Sequence, residues 1–291
     1  MKKFDYAVKQ LIEKDRLSSF ATRANRFQQL KQIGSELRKM GYLLDTPKSL
    51  KTKHINALVQ HWKEEELSTG SIKNRLSNLR WLVSRPEIHK ENIVPRTNAE
   101  LGIENRVYKD NESNRAFELK PEHLENIKSE LLKASLELQK EFGLRREECL
   151  KIRPSIADKG DRIELQSSWT KGGRPRAIPI RTEEQRAALD RAKKLVGHRE
   201  SMIPQDKNYK TWMKHYENET RKAGIDGHGM RHQYAQERYR ELTGLECPKN
   251  GGPTLDQLDK GQKEKVSEAR LIISHELGHG REIIANNYLG R

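Results

Sequence analysis

The sequence predicts a mainly α-helical protein with two domains and a small antiparallel β-sheet in the second domain. Three observations lead to this prediction. Apolar residues recur at helical spacing over residues 4–82 and again after Pro121, a short apolar strand follows Gly172-Gly173, and the pattern breaks down over residues 86–114. The predicted segments are an N-terminal helical domain over residues 1–94, a linker over 95–116 and a C-terminal domain over 117–291.

The N-terminal domain is predicted to contain four amphipathic helices. Apolar side chains three or four positions apart mark each of them, as in the series Phe27, Leu30, Ile33 and Leu37. Ser68 precedes the fourth helix and is a residue type that caps helix N-termini. The predicted helices cover Phe4–Glu13, Arg23–Met40, Ile55–Trp62 and Ile72–Leu82.

The first part of the C-terminal domain is predicted to supply the sheet. A helix with Pro121 in its first turn runs toward Leu138, and another begins after Gly143. Gly172-Gly173 is typical of a tight hairpin turn, with Lys171 at its mouth and a strand beyond it. A tight hairpin joins antiparallel strands, so we expect the sheet to be antiparallel.

The rest of the C-terminal domain is predicted to be helical, with one interruption. Helices are expected over residues 182–196 and 208–223, and a third after Asp226-Gly227. On the third helix, His228 and Arg231 lie three positions apart and therefore project from one face. The stretch Glu241–Arg270 is rich in turn residues and then in charges, and we interpret it as a surface insertion that can contact DNA or a partner.

Composition restricts the class of partner and the compartment. The net charge of +15 favours a polyanionic partner, and the chain has no apolar run long enough to cross a membrane. The N-terminal residues lack the apolar core of a secretory signal. Cys149 and Cys247 do not have metal-binding spacing, so we expect reduced thiols in a cytoplasmic protein.

The candidate chemistry centres on Tyr288, which follows His279 by nine residues. A phenol is a poor nucleophile at neutral pH because its unperturbed pKa is about 10. A reactive tyrosine therefore needs positive groups that stabilise the phenolate. Arg145 and Arg231 carry such charge, and a guanidinium beside an imidazole also suits a phosphate group.

Taken in order, these motifs resemble the tyrosine recombinase (phage integrase) family. The pattern GLR-x-x-E is present as Gly143-Leu144-Arg145 with Glu148, and the hairpin lysine is Lys171. The pattern H-x-x-R-H covers residues 228–232, and LGH is followed nine residues later by Tyr288. The resemblance covers residues 118–291. It extends more loosely to residues 69–76, which are similar to the start of the last helix in the family's DNA-clamping domain.

The resemblance implies a two-domain recombinase architecture and a role for each matched residue. Tyr288 would attack a DNA phosphodiester and hold the broken strand as a 3′-phosphotyrosine, so no ATP, metal ion or other cofactor is expected. Arg145 and Arg231 would bind the non-bridging oxygens, and Lys171 would protonate the departing 5′ hydroxyl. The full set of implied catalytic residues is Arg145, Lys171, His228, Arg231, His279 and Tyr288.

Supporting roles follow from the same resemblance. His228 would transfer a proton or bind phosphate, and His279 would donate to the phosphate. Glu148 would position the helix or an arginine, and His232 would brace the site. The predicted DNA contacts outside the catalytic centre are Lys73, Arg75, Arg80 and Arg174.

The implied partner is double-stranded DNA carrying attachment sites, which the two domains would clamp from opposite sides. We expect a monomer in free solution that forms a tetramer on synapsed DNA, with accessory DNA-bending or directionality proteins as further candidate partners. Members of the family commonly continue past the tyrosine with a tail helix that docks on a neighbouring protomer, whereas only three residues follow Tyr288 here. Protomer contacts are therefore expected from elsewhere, with Glu241–Arg270 as the candidate. The expected role is integration or excision of a mobile element by a cytoplasmic protein that associates with the nucleoid when bound to DNA and does not bind membranes.

Two other functions are compatible with parts of the sequence. His275 and His279 frame an H-E-x-x-H pattern, in which two histidines bind zinc and a glutamate activates water. That hypothesis leaves Arg145, Arg231 and Tyr288 unexplained. A relative that binds DNA and has lost cleavage is the second alternative, although every catalytic-type position holds a reactive residue type.

Overall fold

The structure is a computed structural model that describes residues 1–88, 93–94, 97–105 and 113–291. The chain divides into two compact units, Met1–Tyr108 and Lys109–Arg291. Part of the predicted linker, residues 95–96 and 106–112, lies outside the described residues. None of the described helices is long and apolar enough to cross a membrane.

The N-terminal unit contains the four predicted helices within its described residues. They are α1 (Lys3–Lys14), α2 (Phe20–Lys39), α3 (Thr52–Glu64) and α4 (Thr69–Val83). Their apolar faces meet in one core that includes Phe4, Leu30, Ile33, Leu58 and Leu79. The side chain of Ser68 accepts a hydrogen bond from the Ser71 N–H and so caps α4, which confirms the sequence prediction.

The described part of the C-terminal unit combines helices with one two-stranded sheet. The helices are α5 (Pro121–Glu125), α6 (Glu130–Phe142), α7 (Arg146–Lys151), α8 (Pro154–Ala157), α9 (Glu183–Leu195), α10 (Tyr209–Lys222), α11 (Gly227–Thr243), α12 (Lys260–Glu276) and α13 (Asn286–Leu289). Strands β1 (Arg162–Leu165) and β2 (Arg176–Pro179) pair antiparallel, with Arg162 opposite Pro179 and Leu165 opposite Arg176. The predicted fold class, mainly α with a small antiparallel sheet, is confirmed.

The connection between the strands is longer than the tight hairpin that the sequence predicts. Residues 166–175 join β1 to β2 through two short 3-10 turns, Ser167–Trp169 and Lys171–Gly173. Gly172 and Gly173 do reverse the chain with φ angles of 77° and 67°, which favour glycine. The paired strand ends at Leu165, and residues 167–169 form a turn whose Trp169 side chain is buried in the core.

The helix predicted from Pro121 toward Leu138 is also interrupted. It ends at Glu125, and α6 begins only at Glu130. Ile127 is buried between the two helices, and the Ser129 hydroxyl accepts a hydrogen bond from the Leu132 N–H at 3.3 Å. The predicted single helix is therefore two helices, separated by a segment that buries Ile127 and ends in the N-cap Ser129.

The stretch interpreted as a surface insertion is part of the C-terminal core. Its charged half lies in α12, where Val266, Ala269, Arg270 and Ile273 are buried. These positions recur at helical spacing, but charged residues on the exposed face obscure them in the sequence. The turn-rich half contributes the buried Cys247 to the same core. The stretch therefore adds buried residues to the core, although most of its residues are exposed or half-buried, and its contact with DNA or a partner stays a prediction.

Candidate active site

Arg145 is held at the start of α7 by a reciprocal contact with Glu148. The Glu148 carboxylate accepts a hydrogen bond from the Arg145 backbone N–H at 2.7 Å and another from Arg145 Nη1 at 2.8 Å. Gly143 precedes this turn with a φ of 57°, and a Cβ there would lie 2.5 Å from Tyr234 Cδ1. The glycine of the GLR pattern therefore lets α6 turn into α7 against the core.

Glu148 also binds Arg176, a residue that the sequence analysis did not assign to the site. Arg176 Nη1 and Nη2 donate to the two carboxylate oxygens at 2.8 and 2.7 Å, and Arg176 Nε donates to the Glu276 carbonyl at 2.7 Å. Burial would raise the pKa of Glu148, but the hydrogen bonds and charge of Arg176, with the charge of Arg145, lower it to about 2. Glu148 is therefore an anchor for two arginines, as the resemblance implied for one.

Arg231 and Tyr288 form the centre of the site. Both are buried, at 1% and 5% exposure, and Arg231 Nε donates to the Tyr288 hydroxyl at 3.2 Å. The Arg231 guanidinium also donates to the carbonyl oxygens of Gly143 and Leu277. Burial lowers the pKa of Arg231 to about 10, so the side chain is still charged at neutral pH.

His279 contacts both Tyr288 and Arg231. Its Nε2 lies 3.1 Å from the Tyr288 hydroxyl and 3.4 Å from Arg231 Nη2. Burial and the charges of Arg231, Arg145 and Arg176 lower the pKa of His279 to about 4, so the ring is neutral at pH 7. A neutral imidazole has one N–H donor and one acceptor nitrogen, so the tautomer of His279 sets the direction of its hydrogen bond with the Tyr288 hydroxyl.

The donor role toward phosphate that the resemblance implied for His279 stays a prediction. In the free protein, His279 Nε2 is within hydrogen-bond distance of the Tyr288 hydroxyl and is close enough to exchange a proton with it.

The two histidines of the H-x-x-R-H pattern also lie near the Tyr288 ring. The His232 ring packs on Tyr288 with centroids 4.7 Å apart, and the His228 ring lies edge-on to His232 at 5.1 Å. Asp226 caps α11 by accepting a hydrogen bond from the His228 N–H at 2.9 Å. Burial lowers the pKa of His228, and it lowers that of His232 to about 4. His232 thus braces the phenol as a neutral ring.

A cavity of about 520 Å³ opens beside these residues, and its lining includes Arg145, Lys171, His228 and Arg231. Tyr288 and His279 join this group through their contacts with Arg231. The structure therefore brings all six predicted catalytic residues to one place. Arg146 also borders the cavity, but its guanidinium forms an ion pair with Glu217 on the surface.

The zinc-protease hypothesis finds no geometric support. His275 lies on the exposed side of α12, whereas Gly278 turns the chain out of the helix with a φ of 69° before His279. Glu276 accepts hydrogen bonds from the Tyr234 hydroxyl at 2.8 Å and from Arg238 Nε at 3.1 Å. No group of three or more His, Cys, Asp or Glu residues suited to a metal ion occurs within the described residues.

The predicted DNA contacts outside the site differ in accessibility. Arg75 is bound to Glu36 at 2.9 Å, and Arg80 donates to the Asn98 side chain at 3.0 Å, so both are engaged within the N-terminal unit. Lys73 is half-buried on α4, and Arg174 is exposed between the strands. Contacts between these four residues and DNA remain predictions.

Solved structures with the same fold are DNA recombinases. The fold is similar to a lambda integrase (residues 75–356) dimer bound to a COC′ core site, with a TM-score of 0.58, 17% identity and coverage of 97% of this chain and 93% of that one. It is also similar to XerH site-specific recombinase bound to a difH substrate, with a TM-score of 0.57, 13% identity and coverage of 98% and 80%. The Tn1549 transposon integrase in complex with transposon right end DNA matches with a TM-score of 0.53, 15% identity and coverage of 98% and 95%. At these identities the likeness defines the fold class, a two-domain recombinase architecture.

Family models identify the chain more specifically. The model described as "Phage integrase, N-terminal" matches residues 1–87, and the model described as "Integrase" matches residues 104–237. No curated protein sequence matches the chain. The chain belongs to the tyrosine recombinase (phage integrase) family.

Proposed function

We propose that the protein is a site-specific DNA recombinase that cleaves and rejoins DNA through a phosphotyrosyl intermediate at Tyr288. One observation carries this proposal: the buried Tyr288 hydroxyl accepts a hydrogen bond from the charged Arg231 Nε at 3.2 Å and lies 3.1 Å from Nε2 of the neutral His279 ring. This pair of partners lowers the barrier to using a phenol as a nucleophile, because one stabilises the phenolate and the other takes its proton.

In the proposed cleavage step, the Tyr288 oxygen forms a bond to phosphorus while the bond from phosphorus to the 5′ oxygen breaks. The phenol proton moves to His279. The strand then remains linked to the protein through its 3′ phosphate, and the bond energy is kept for rejoining. The reverse attack by a 5′ hydroxyl restores the strand and frees Tyr288.

Two arginines would stabilise the negative charge that develops on the phosphate oxygens. Arg231 lies beside the nucleophile, and Arg145 lines the same cavity with its guanidinium fixed by the buried Glu148. Charged donors that are already oriented lose little energy to reorganisation as the transition state forms. In this proposal, the guanidinium groups of Arg145 and Arg231 stabilise the negative charge on the phosphate oxygens.

Lys171 is proposed as the acid that protonates the departing 5′ oxygen. It borders the cavity from an exposed turn next to Gly172 and Gly173, which gives its side chain access to a phosphate bound there. Without a proton, the alkoxide would be a poor leaving group, so the lysine acts on bond breaking rather than on binding.

A cleavage assay on a verified binding site tests the proposal. Duplexes bound by the protein would first be selected from a random-sequence pool. A nick would then be placed next to each candidate scissile phosphate, so that the short product strand diffuses away and the covalent adduct cannot be rejoined. We expect the wild-type protein to accumulate a covalent adduct and Tyr288→Phe to bind the same DNA without forming one. Tight binding with no adduct from the wild type would favour the alternative, a DNA-binding relative that has lost cleavage.

We also propose that the recombinase integrates or excises a mobile element as a tetramer on synapsed DNA. Similar folds support this proposal, among them a lambda integrase tetramer bound to a Holliday junction, with a TM-score of 0.56 and 18% identity. Sedimentation would show a monomer without DNA and four protomers on paired sites. Strand exchange between two selected sites, but not between unrelated duplexes, would establish the recombination step.

A further inference from the structure

Tyr288 lies on α13, a single helical turn of four residues, Asn286–Leu289. The Asn286 carbonyl accepts a hydrogen bond from the Gly290 N–H at 3.0 Å, and the carbonyl groups at the end of an α-helix have no partner within the helix. An isolated turn of this length is not stable in water. The position of the phenol therefore depends on groups outside α13.

Three side chains from other elements bind the carbonyl groups of this turn and of Gly290. Lys249 Nζ donates to the Asn287 carbonyl at 2.8 Å, and Gln236 Nε2 donates to the Tyr288 carbonyl at 3.0 Å. Arg270 Nη1 donates to the Gly290 carbonyl at 3.0 Å and also to the Asn286 side chain. Gln236 belongs to α11 and Arg270 to α12, so the turn is held from two helices and from the loop between them.

The loop makes direct van der Waals contact with the end of the turn. A Cβ added at Gly290 would lie 3.0 Å from Pro248 Cβ and 3.3 Å from the Lys249 backbone nitrogen. Gly290 has a φ of 87°, which also favours glycine. The backbone thus leaves α13 directly against the segment that carries Lys249.

Gln236 is itself oriented by the residues that lead into the C-terminal unit. Its Nε2 donates to Asn114 Oδ1 at 2.8 Å, and Asn114 Nδ2 donates to the Asn250 side chain. Gln236 is 3% exposed and Arg270 is 1% exposed, whereas Lys249 is partly exposed. Lys249 can therefore be changed with less risk to folding than the two buried residues.

We propose that Gln236, Lys249 and Arg270 are positioning residues that fix the placement of the Tyr288 phenol, with residues 247–251 as the outer part of this clamp. The proposal rests on the proposed function, because the placement of Tyr288 matters for the reaction only if Tyr288 is the nucleophile. The proposal also assigns a role to the segment between α11 and α12, which contains none of the recombinase motifs. The clamp acts through the backbone of α13, and its three side chains are not among those that line the cavity.

The test compares Lys249→Met with Lys249→Arg, and with Lys263→Met as a control that removes one charge from an exposed position on α12. The first readout is amide hydrogen exchange of residues 286–290, which does not require activity. We expect faster exchange there in Lys249→Met, unchanged exchange in the N-terminal unit, and wild-type exchange in Lys263→Met. The Arg variant should restore slow exchange, because a guanidinium can still donate to the Asn287 carbonyl.

The second readout is the single-turnover cleavage rate at saturating DNA, measured beside the dissociation constant for DNA. We expect Lys249→Met to slow cleavage by about tenfold or more, because small misplacements of a reacting group have effects of this size, while DNA affinity stays near that of Lys263→Met. Unchanged exchange in residues 286–290 would overturn the clamp. Faster exchange with an unchanged cleavage rate would overturn its positioning role, whereas the absence of an adduct from wild-type protein would count against the proposed function alone.

Discussion

The guanidinium of Arg176 meets the carboxylate of Glu148 in a two-pronged ion pair, with hydrogen bonds of 2.8 and 2.7 Å. Glu148 is fully buried and uses the same carboxylate to hold Arg145. The pair therefore links β2 to the start of α7 and fixes one of the two arginines proposed to bind phosphate. The Arg176–Glu148 pair has a structural role, because each charge offsets the cost of burying the other.

We predict that Arg176→Ala destabilises the C-terminal unit by about 3–5 kcal/mol, because removal of one partner of a buried ion pair leaves the other charge uncompensated. Urea unfolding measures the effect. Arg162→Ala on β1 is the matched control, and it should change stability little because its ion pairs are exposed. Equal stability of the two variants would show that the Glu148 pair is not a structural anchor.

Neighbouring arginines should differ sharply in function. We predict that Arg145→Ala lowers the cleavage rate by about 100-fold or more, as expected for loss of a preorganised transition-state donor, while Arg146→Ala retains most activity. The reason is that Arg145 is fixed by Glu148, whereas Arg146 pairs with Glu217 at the surface. Single-turnover cleavage of one selected duplex gives both rates. A larger defect in Arg146→Ala would reverse the assignment.

Stability should fall as pH is lowered from 6.5 toward 4. His232 and His279 have pKa values of about 4 in the folded protein, lowered first by burial, against about 6.5 when unfolded. Between these values the unfolded state binds more protons, so the folded state loses stability as pH decreases and is unaffected above pH 7. Each histidine should contribute a loss of about 2 kcal/mol by pH 5.

Urea midpoints at pH 7.5 and pH 5 measure this loss. His232→Phe removes one titrating ring while keeping a ring against Tyr288, so it should reduce the pH dependence. A midpoint that is the same at both pH values in the wild-type protein would show that these rings are not buried in their neutral form.

Lys171 should be dispensable when the leaving group needs no proton. We predict that Lys171→Met slows cleavage of normal DNA strongly, and that a substrate with sulfur in place of the scissile 5′ oxygen restores the rate. A thiol has a pKa near 8.5 and leaves readily as the thiolate. Comparison of the two substrates with wild-type and variant protein is the measurement. An equal defect on both substrates would assign Lys171 to binding instead.

The sequence was sufficient to predict the fold class and the six candidate catalytic residues. Helical spacing predicted α1 to α4, and the order and spacing of the motifs identified Arg145, Arg231, His279 and Tyr288, which the structure brings together. These predictions depend on local periodicity and on short motifs, which a single sequence displays.

The contacts between distant segments could not be predicted in this way. Arg176 pairs with a residue 28 positions away, and Lys249 binds a carbonyl 38 positions away, so neither contact has a local pattern. The charged residues of α12 concealed its buried face, and the connection between the strands, in which Trp169 is buried, is longer than the predicted hairpin. In each case tertiary packing decided the outcome.

The most direct test of the account is to identify the atom that links the protein to cleaved DNA. After digestion of a trapped adduct on a selected duplex, mass spectrometry should find a single modified peptide, with the 3′ phosphate of the strand attached to the oxygen of Tyr288. A link to a different residue, or a link through a 5′ phosphate, would contradict the central claim that Arg231 and His279 prepare this phenol as the nucleophile.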